Sequence, residues 1–256
     1  MYNYKIKFIK KPKTGQITDE KAAELIESYF NPLLNNGQVL CGYDLYKDSY
    51  GFLYANVILP EEDSLSGVYD NGYVKEYRKK LNEFFDTELI REGINLEYHE
   101  PCDCKKPSWY FLYIDTPWNN ETPLICGDCS GYVPLYKVPY ISDEKEHFSL
   151  LSWRIAYQSM ERLWIHSLWD RFTYGQVFKY DSKLNIEGRK LSRNYEKVLS
   201  TPVYYYIDYN VRAWIAPKKP PETCPECCGE WIKDPEFFKC EKCRLITTNP
   251  DWKDDE

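Results

Sequence analysis

Histidine is scarce: only His99, His147 and His166 occur in 256 residues. Three scattered imidazoles leave little room for histidine-based acid–base chemistry. No stretch of about 18 apolar residues exists to cross a bilayer. The opening Tyr2-Asn3-Tyr4-Lys5-Ile6-Lys7 alternates like a strand and lacks an apolar h-region, so no secretory signal is expected. There is no Gly-x-Ser-x-Gly elbow, phosphate-cradling glycine loop or dinucleotide fingerprint. Positive charge is in deficit too, with 33 Lys and Arg against 40 Asp and Glu and a formal net charge of −7. A chain this acidic does not coat a phosphate backbone nonspecifically. The charge is uneven, with −8 over residues 1–150, +4 over 151–200 and −3 over 201–256. Nucleic acid, if bound, would be expected at the basic segment 151–200.

Cysteine and aromatic residues are plentiful. Eight of the ten cysteines form two sets of four. The sharper set is Cys224-Pro-Glu-Cys227 and Cys240-Glu-Lys-Cys243, with twelve residues between the pairs. Each Cys-x-x-Cys knuckle puts two sulfurs on one tight turn, and two knuckles complete the tetrahedral shell that Zn²⁺ prefers. Some 26 residues cannot bury enough surface to fold unaided, so the metal must stabilise this ribbon. Cys228 stands where glycine commonly follows the knuckle. Either it occupies that position or it replaces Cys227 as ligand; the two-residue spacing favours Cys227. The second set is Cys102-Asp-Cys104 and Cys126-Gly-Asp-Cys129, with a 21-residue spacer that a hairpin can fill. His99, three residues before Cys102, is an alternative ligand, but the four cysteines are preferred. The two sets predict two structural Zn²⁺ ions. Four thiolates leave no open coordination position, and thiols in a chain without a secretion signal point to the reducing cytoplasm. Cys41 reads as a small buried hydrophobe.

Aromatic residues make up 17% of the chain. This excess suits both a core and an interface, and most of it is assigned to the core. The pattern predicts an α+β protein. Over residues 1–98 strands and helices follow the order β-α-β-β-α-β, a ferredoxin-like arrangement. Strands are expected at 4–9, 39–46, 52–59 and 94–98. One helix starts at Thr18 or Asp19 and is closed by Pro32 and Asn35-Asn36-Gly37; the other carries Tyr73, Tyr77, Leu81, Phe84 and Phe85. Residues 99–140 are a four-cysteine zinc hairpin insertion around the strand Trp109–Ile114. Residues 141–215 are a helical, aromatic-rich segment in which Trp153, Tyr157, Met160, Trp164 and Leu168 form one apolar stripe. Gly188–Leu199 reads as a basic amphipathic helix and Thr201–Tyr209 as an aromatic strand. Residues 216–223 are a Pro/Lys linker, 224–247 the zinc ribbon and 248–256 an acidic tail.

Catalytic readings find little to stand on. His99-Glu100-Pro101-Cys102-Asp103-Cys104 has the letters of a zinc-deaminase motif but the wrong spacing. His166 and Asp170 stand at i,i+4, where a satisfied histidine is the ordinary outcome. The chain therefore reads as non-enzymatic and as a binder of macromolecules. A protein partner is favoured by the net charge and the aromatic surplus. One such role is an immunity or antitoxin-type protein whose carboxylates mask the basic site of a toxin. The alternative is nucleic-acid binding through Arg154, Arg162, Arg171, Arg189 and Arg193, which are interleaved with rings that could stack on bases.

The ribbon residues Cys224…Cys227…Trp231…Phe238-Lys239-Cys240-Glu241-Lys242-Cys243-Arg244-Leu245 and the segment Leu151-Ser152-Trp153-Arg154-Ile155-Ala156-Tyr157…Glu161-Arg162-Leu163-Trp164 resemble an uncharacterised bacterial family. That family is described as zinc-ribbon-containing and proposed to bind nucleic acid. The resemblance covers about the last 110 residues, and Cys228 departs from the glycine expected there. It implies a terminal zinc ribbon after a helical segment and brings no established activity.

Overall fold

In the computed structural model, residues 1–12, 17–40, 42–118, 121–141, 145–209 and 220–249 are described. Cys41, residues 216–219 of the expected linker and 250–256 of the expected tail lie outside them. The chain divides into two compact units, one built on residues 1–103, 119–122 and 131–148, the other on 104–118, 123–130 and 149–256.

The first unit contains β1 (Tyr2–Lys10), α1 (Asp19–Asn35), β2 (Asp44–Lys47), β3 (Leu53–Leu59), α2 (Gly72–Phe84) and β4 (Phe85–Ile94). The strands pair antiparallel in the order β2-β3-β1-β4. Alternation decides the faces: Tyr4, Ile6 and Phe8 of β1 and Leu53, Ala55, Val57 and Leu59 of β3 are buried, while their neighbours are not. The buried rows pack with Ala22, Ile26, Tyr29, Phe30 and Leu33 of α1 and Val74 and Leu81 of α2.

Local chemistry starts both helices. Thr18 Oγ1 accepts from the Lys21 N–H, and Asn71 Oδ1 accepts from the Val74 N–H at 2.9 Å. Several boundaries differ from the sequence expectations. α1 runs through Pro32 to Asn35 and stops where Gly37 adopts φ +74°. A proline in the last turn costs one hydrogen bond, and burial of Pro32 and Leu33 outweighs it. β4 begins at Phe85, directly after α2, in place of a strand at 94–98, because pairing with β1 from Lys10 to Tyr2 draws the whole segment into the sheet. β2 is only Asp44–Lys47; Val39 and Leu40 are buried outside any strand.

A buried polar network ties the end of α1 to the start of α2. Asn36 donates to Gln38 Oε1 (2.8 Å) and to the Tyr69 carbonyl (2.9 Å), and Gln38 donates to the Ser64 carbonyl (2.8 Å) and to Asp70 (3.3 Å). Arg78 completes it with a bidentate contact to Asp70, from Nε at 2.6 Å and from Nη2 at 2.8 Å.

His147 is fully buried, with Nε2 2.9 Å from the Leu135 carbonyl. Burial pushes its pKa down from 6.5 to about 4. Below pH 6.5 the unfolded chain takes up a proton that the folded chain refuses. Stability is thus fully present above 6.5 and falls as the pH drops toward 4, by on the order of 3 kcal/mol. Denaturant titrations at several pH values in this window should show the loss, and a His147→Asn variant should lack this component.

The second unit contains β5 (Tyr110–Leu112), β6 (Leu124–Cys126), α3 (from Phe148 to Ile165), α4 (Asp170–Phe178), α5 (Lys183–Leu199), β7 (Val203–Tyr206), β8 (Ile232–Lys233), β9 (Phe237–Cys240) and β10 (Leu245–Thr248). One six-stranded sheet has the order β6-β5-β7-β10-β9-β8. β10 lies parallel to β7, with Leu245 opposite Tyr205, so the C-terminal cysteine segment supplies strands to the same sheet as residues 110–112. Gly188 permits α5 to approach: a Cβ there would stand 2.2 Å from the Tyr205 ring. Tyr205 in turn donates to Asn185 Oδ1 at 2.5 Å.

Candidate metal centres

Each cysteine set converges. The sulfurs of Cys224, Cys227, Cys240 and Cys243 lie within 4.8 Å of one another, as do those of Cys102, Cys104, Cys126 and Cys129. Cys227 Sγ and Cys240 Sγ are 3.7 Å apart. A tetrahedral zinc with bonds of about 2.3 Å requires sulfur–sulfur edges of about 3.8 Å, so this spacing fits a tetrathiolate ion. Each group could hold one metal ion, and in each the donor set is four soft thiols, suited to Zn²⁺.

The knuckles share a backbone device. Ser130, Cys228 and Arg244, each the residue after the second cysteine of a Cys-x-x-Cys pair, have φ of 57°, 56° and 53°. This left-handed residue turns the chain away after the second sulfur. It is disfavoured for residues other than glycine by roughly 1–2 kcal/mol, an expense a metal-bound knuckle can offset. Cys228 therefore takes the conformation usually left to glycine; its side chain is exposed, and Cys227 is the one within the cluster. The Cys228 N–H donates to the Cys224 carbonyl (2.8 Å), and the Ser130 N–H to the Cys126 carbonyl (3.0 Å).

Electrostatics differ among the ribbon thiols. The Gly229 N–H, followed by contacts with the other cysteines, lowers Cys227 to about 7, whereas burial raises Cys240 to about 11 and Cys243 further. A divalent cation would displace these protons and stabilise all four sulfurs as thiolates.

Helix α5 holds both ribbon knuckles. Glu226, inside the first knuckle, accepts from Arg193 at 2.8 Å and lies 4.0 Å from Arg189. Arg244, just after the second, donates to Glu196 at 2.9 Å and to Glu241 at 2.7 Å. In the other set, the Cys102 N–H donates to the Tyr132 carbonyl at 2.7 Å. Asp128, between Cys126 and Cys129, accepts from the Ser108 N–H at 2.6 Å and from its hydroxyl. Gly127 lies flat on Trp109, where a Cβ would come within 2.0 Å of the indole. His99 is engaged elsewhere, its Nδ1 3.2 Å from the buried carboxylate of Glu121.

The five arginines of segment 151–200 do not form one stripe. Arg189 is buried, its guanidinium 3.9 Å from the Tyr180 ring centre, and Arg193 is engaged by Glu226. Arg162 donates to the Pro117 carbonyl at 2.8 Å and lies over Trp118 at 5.1 Å. Arg154 is half-buried and Arg171 exposed. The α3–α4 turn was not singled out by sequence reading. There Ser167 and Trp169 have φ of 54° and 55°, and Ile165, Leu168, Trp169 and Phe172 are 40%, 55%, 73% and 56% exposed. Four apolar residues within eight positions were the available signal.

The fold and the two cysteine centres define an α+β protein with two sites able to hold a metal ion each. The profile of a family described as a domain of unknown function (DUF2310) matches residues 74–208, and the chain belongs to that family. A second domain of unknown function (DUF8589) matches residues 1–90. Two proteins of Haemophilus influenzae, each named "Uncharacterized protein", are similar to it. One is 26% identical over 251 residues, covering 91% of this chain and 92% of the relative; the other is 27% identical over 210 residues, covering 78% and 96%. Among solved structures, Rv0793 from Mycobacterium tuberculosis is similar at 14% identity and a TM-score of 0.28, covering 36% of this chain and 93% of that one. At3g17210 from Arabidopsis thaliana is similar at 14% identity and a TM-score of 0.30, covering 37% and 96%. Among the described residues, no helix is long and apolar enough to cross a membrane.

Proposed function

We propose that this protein is a non-enzymatic, zinc-stabilised binding protein that docks a protein partner through the α3–α4 turn. The observation that carries this reading is the exposed apolar run Ile165, Leu168, Trp169 and Phe172. Trp118, 56% exposed, extends it, since its ring lies 6.0 Å from that of His166 and beneath Arg162. Exposed apolar side chains gathered within eight positions, with arginine beside them, have the composition of a protein interface. Holding Ser167 and Trp169 left-handed costs about 1–2 kcal/mol each, and such strain persists where a surface has to be presented in one shape. An apolar ridge, rather than an acidic mask, is the feature that supports binding.

Zinc is the metal we assign to both centres, since four thiolates form a closed tetrahedral shell that supports a fold and offers substrate no position. Such thiolates belong in a reducing compartment, here the cytoplasm. The strand order β2-β3-β1-β4 supports a ferredoxin-like reading of the first unit, and the paired knuckles a zinc-ribbon reading of the C-terminus. The involvement of Arg189 and Arg193 with Glu226 leaves the 151–200 segment poorly suited to phosphates.

The test is quantitative copurification from the native host with the wild type and a Leu168→Ser/Trp169→Ser variant. A partner recovered at least about tenfold less with the folded variant supports the reading, since buried interface anchors commonly contribute 2 kcal/mol or more. Identical recoveries would sink it.

A further inference from the structure

Helix α3 buries Leu150, Leu151, Trp153, Gln158 and Glu161 and turns Phe148, Ser152, Ile155, Ala156, Ser159 and Arg162 outward. The outward residues recur mainly at steps of three and four, so they share one face along the helix. Phe148 is 70% and Ile155 58% exposed. A helix face that meets only water is normally rich in charged side chains. On this one, Arg162 is the single residue with a permanent charge. Ser152, Ala156 and Ser159 are small, which lets the axis of a second helix come to the near end of the 8–10 Å packing range.

The face is complementary to itself about a two-fold axis. Let a second α3 lie antiparallel, with the axis passing between Ile155 and Ala156. Ile155 of one copy then meets Ala156 of the other, large against small. Ser152 meets Ser159, and Phe148 meets the Arg162–Leu163 turn. The Arg162 guanidinium is thereby offered an exposed ring, the kind of contact it already makes with Trp118 at 5.1 Å. The axis falls close to the middle of the 18-residue helix, so nearly its full length of about 27 Å is engaged. The two Arg162 side chains stand about 20 Å apart along the pair, beyond the ~10 Å reach of exposed charges at 0.1 M salt. A parallel pair would set Arg162 against Arg162 and align the two helix dipoles. The antiparallel pair avoids both.

The same arrangement carries the α3–α4 turn of each copy past the start of the other's α3, beside Phe148. At roughly 200 Å² per large side chain, the exposed parts of Phe148, Ile155, Trp118 and the four apolar residues of the turn amount to about 800 Å². One partner contributes about 800 Å² to a standard interface. We propose that the protein partner docked here is a second copy of the chain, joined in a two-fold dimer through antiparallel α3 helices. The inference rests on the reading of the α3–α4 turn as a docking surface, and it names the occupant.

The experiment is sedimentation velocity of the full-length, zinc-loaded protein from about 1 to 100 μM, the range of a standard-size interface of modest affinity. A species of twice 30.6 kDa is expected for the wild type. Two double variants test the register. Ser152→Glu/Ser159→Glu sets like charges opposite each other across the axis and should weaken the dimer at least about tenfold. Ser152→Lys/Ser159→Glu sets opposite charges there and should stay within about threefold of the wild type. Both place their charges at exposed helical positions, so both should keep the wild-type circular dichroism. A dimer that both variants leave intact overturns the proposal, because another face would then hold it. A dimer that both variants break overturns it too, because a parallel pair behaves in that way. A wild type that stays monomeric at about 100 μM overturns it outright. If a different protein is then lost from the Leu168→Ser/Trp169→Ser copurification, the docking surface stands and only the second copy is refuted.

Discussion

Removal of both metals by a strong chelator is expected to abolish cooperative unfolding of the second unit, and not merely to loosen its C-terminus. Cys240 ends β9 and Cys126 ends β6, so the two cysteine sets terminate strands of the same six-stranded sheet. β10 begins two residues after Cys243 and is the neighbour of β7. Losing the turn at Cys240–Cys243 therefore removes three of six strands from the pairing ladder. A structural zinc contributes about 10–16 kcal/mol to folding in small peptides, against a whole-domain stability of about 5–15 kcal/mol. The expected result is loss of the thermal transition of this unit, read by near-ultraviolet circular dichroism, where Trp109, Trp153, Trp164 and Trp231 report. Single variants divide the effect. Cys240→Ser and Cys126→Ser should each lower the bound zinc from two equivalents to about one, by elemental analysis. Cys228→Ala should keep both, because its side chain lies outside the cluster. A chelated protein that melts at the unchanged temperature would contradict this assignment.

The second large effect is expected at Arg78. The Asp70 side chain is 2% exposed and takes two hydrogen bonds from Arg78, whose Nη2 also donates to the Leu65 carbonyl at 3.0 Å. Arg78→Ala leaves a buried carboxylate facing the Gln38 amide at 3.3 Å in place of a bidentate cation. Breaking a buried pair in this way costs about 3–5 kcal/mol. Asp70→Asn should cost less, since Arg78 is 26% exposed and can turn to water. A double-mutant cycle on Arg78 and Asp70, measured by urea denaturation, should give a coupling well above the ~0.5 kcal/mol of independent sites. A cost below about 1 kcal/mol for Arg78→Ala would place the contact among ordinary surface pairs.

These two results bear on different levels of legibility. Both cysteine quartets could be read from spacing, because a knuckle is a local object: two ligands two or three residues apart sit on one turn whatever surrounds them. The first unit's β-α-β-β-α-β order was equally readable, since apolar period and a cap residue such as Thr18 act over a few positions; the Asn71 cap of α2 emerged only in the fold. Boundaries were less so. Pro32 looked like a stop signal, yet burial of the final turn of α1 carries the helix past it. β4 was expected at 94–98 and lies at 85–94, because β1 offers a nine-residue edge that propensity alone does not reveal.

The use made of charge was not legible. Arg189 and Arg193 stand on a basic helix in the sequence; in the fold they meet Glu226 of a knuckle more than thirty residues away. Asp70 and Arg78 look like surface residues until Leu65 and Gln38 close around them. What the sequence by itself determined is the local chemistry: which residues can ligate a metal, which turns they sit on and which stretches are amphipathic. What only the tertiary structure decided is the pairing of distant edges, above all β10 beside β7, which turns a terminal cysteine ribbon into part of a sheet. The physical reason is range. Ligand spacing and helical period depend on neighbours a few bonds away, whereas strand pairing depends on which unsatisfied backbone edges remain once every other element has been placed.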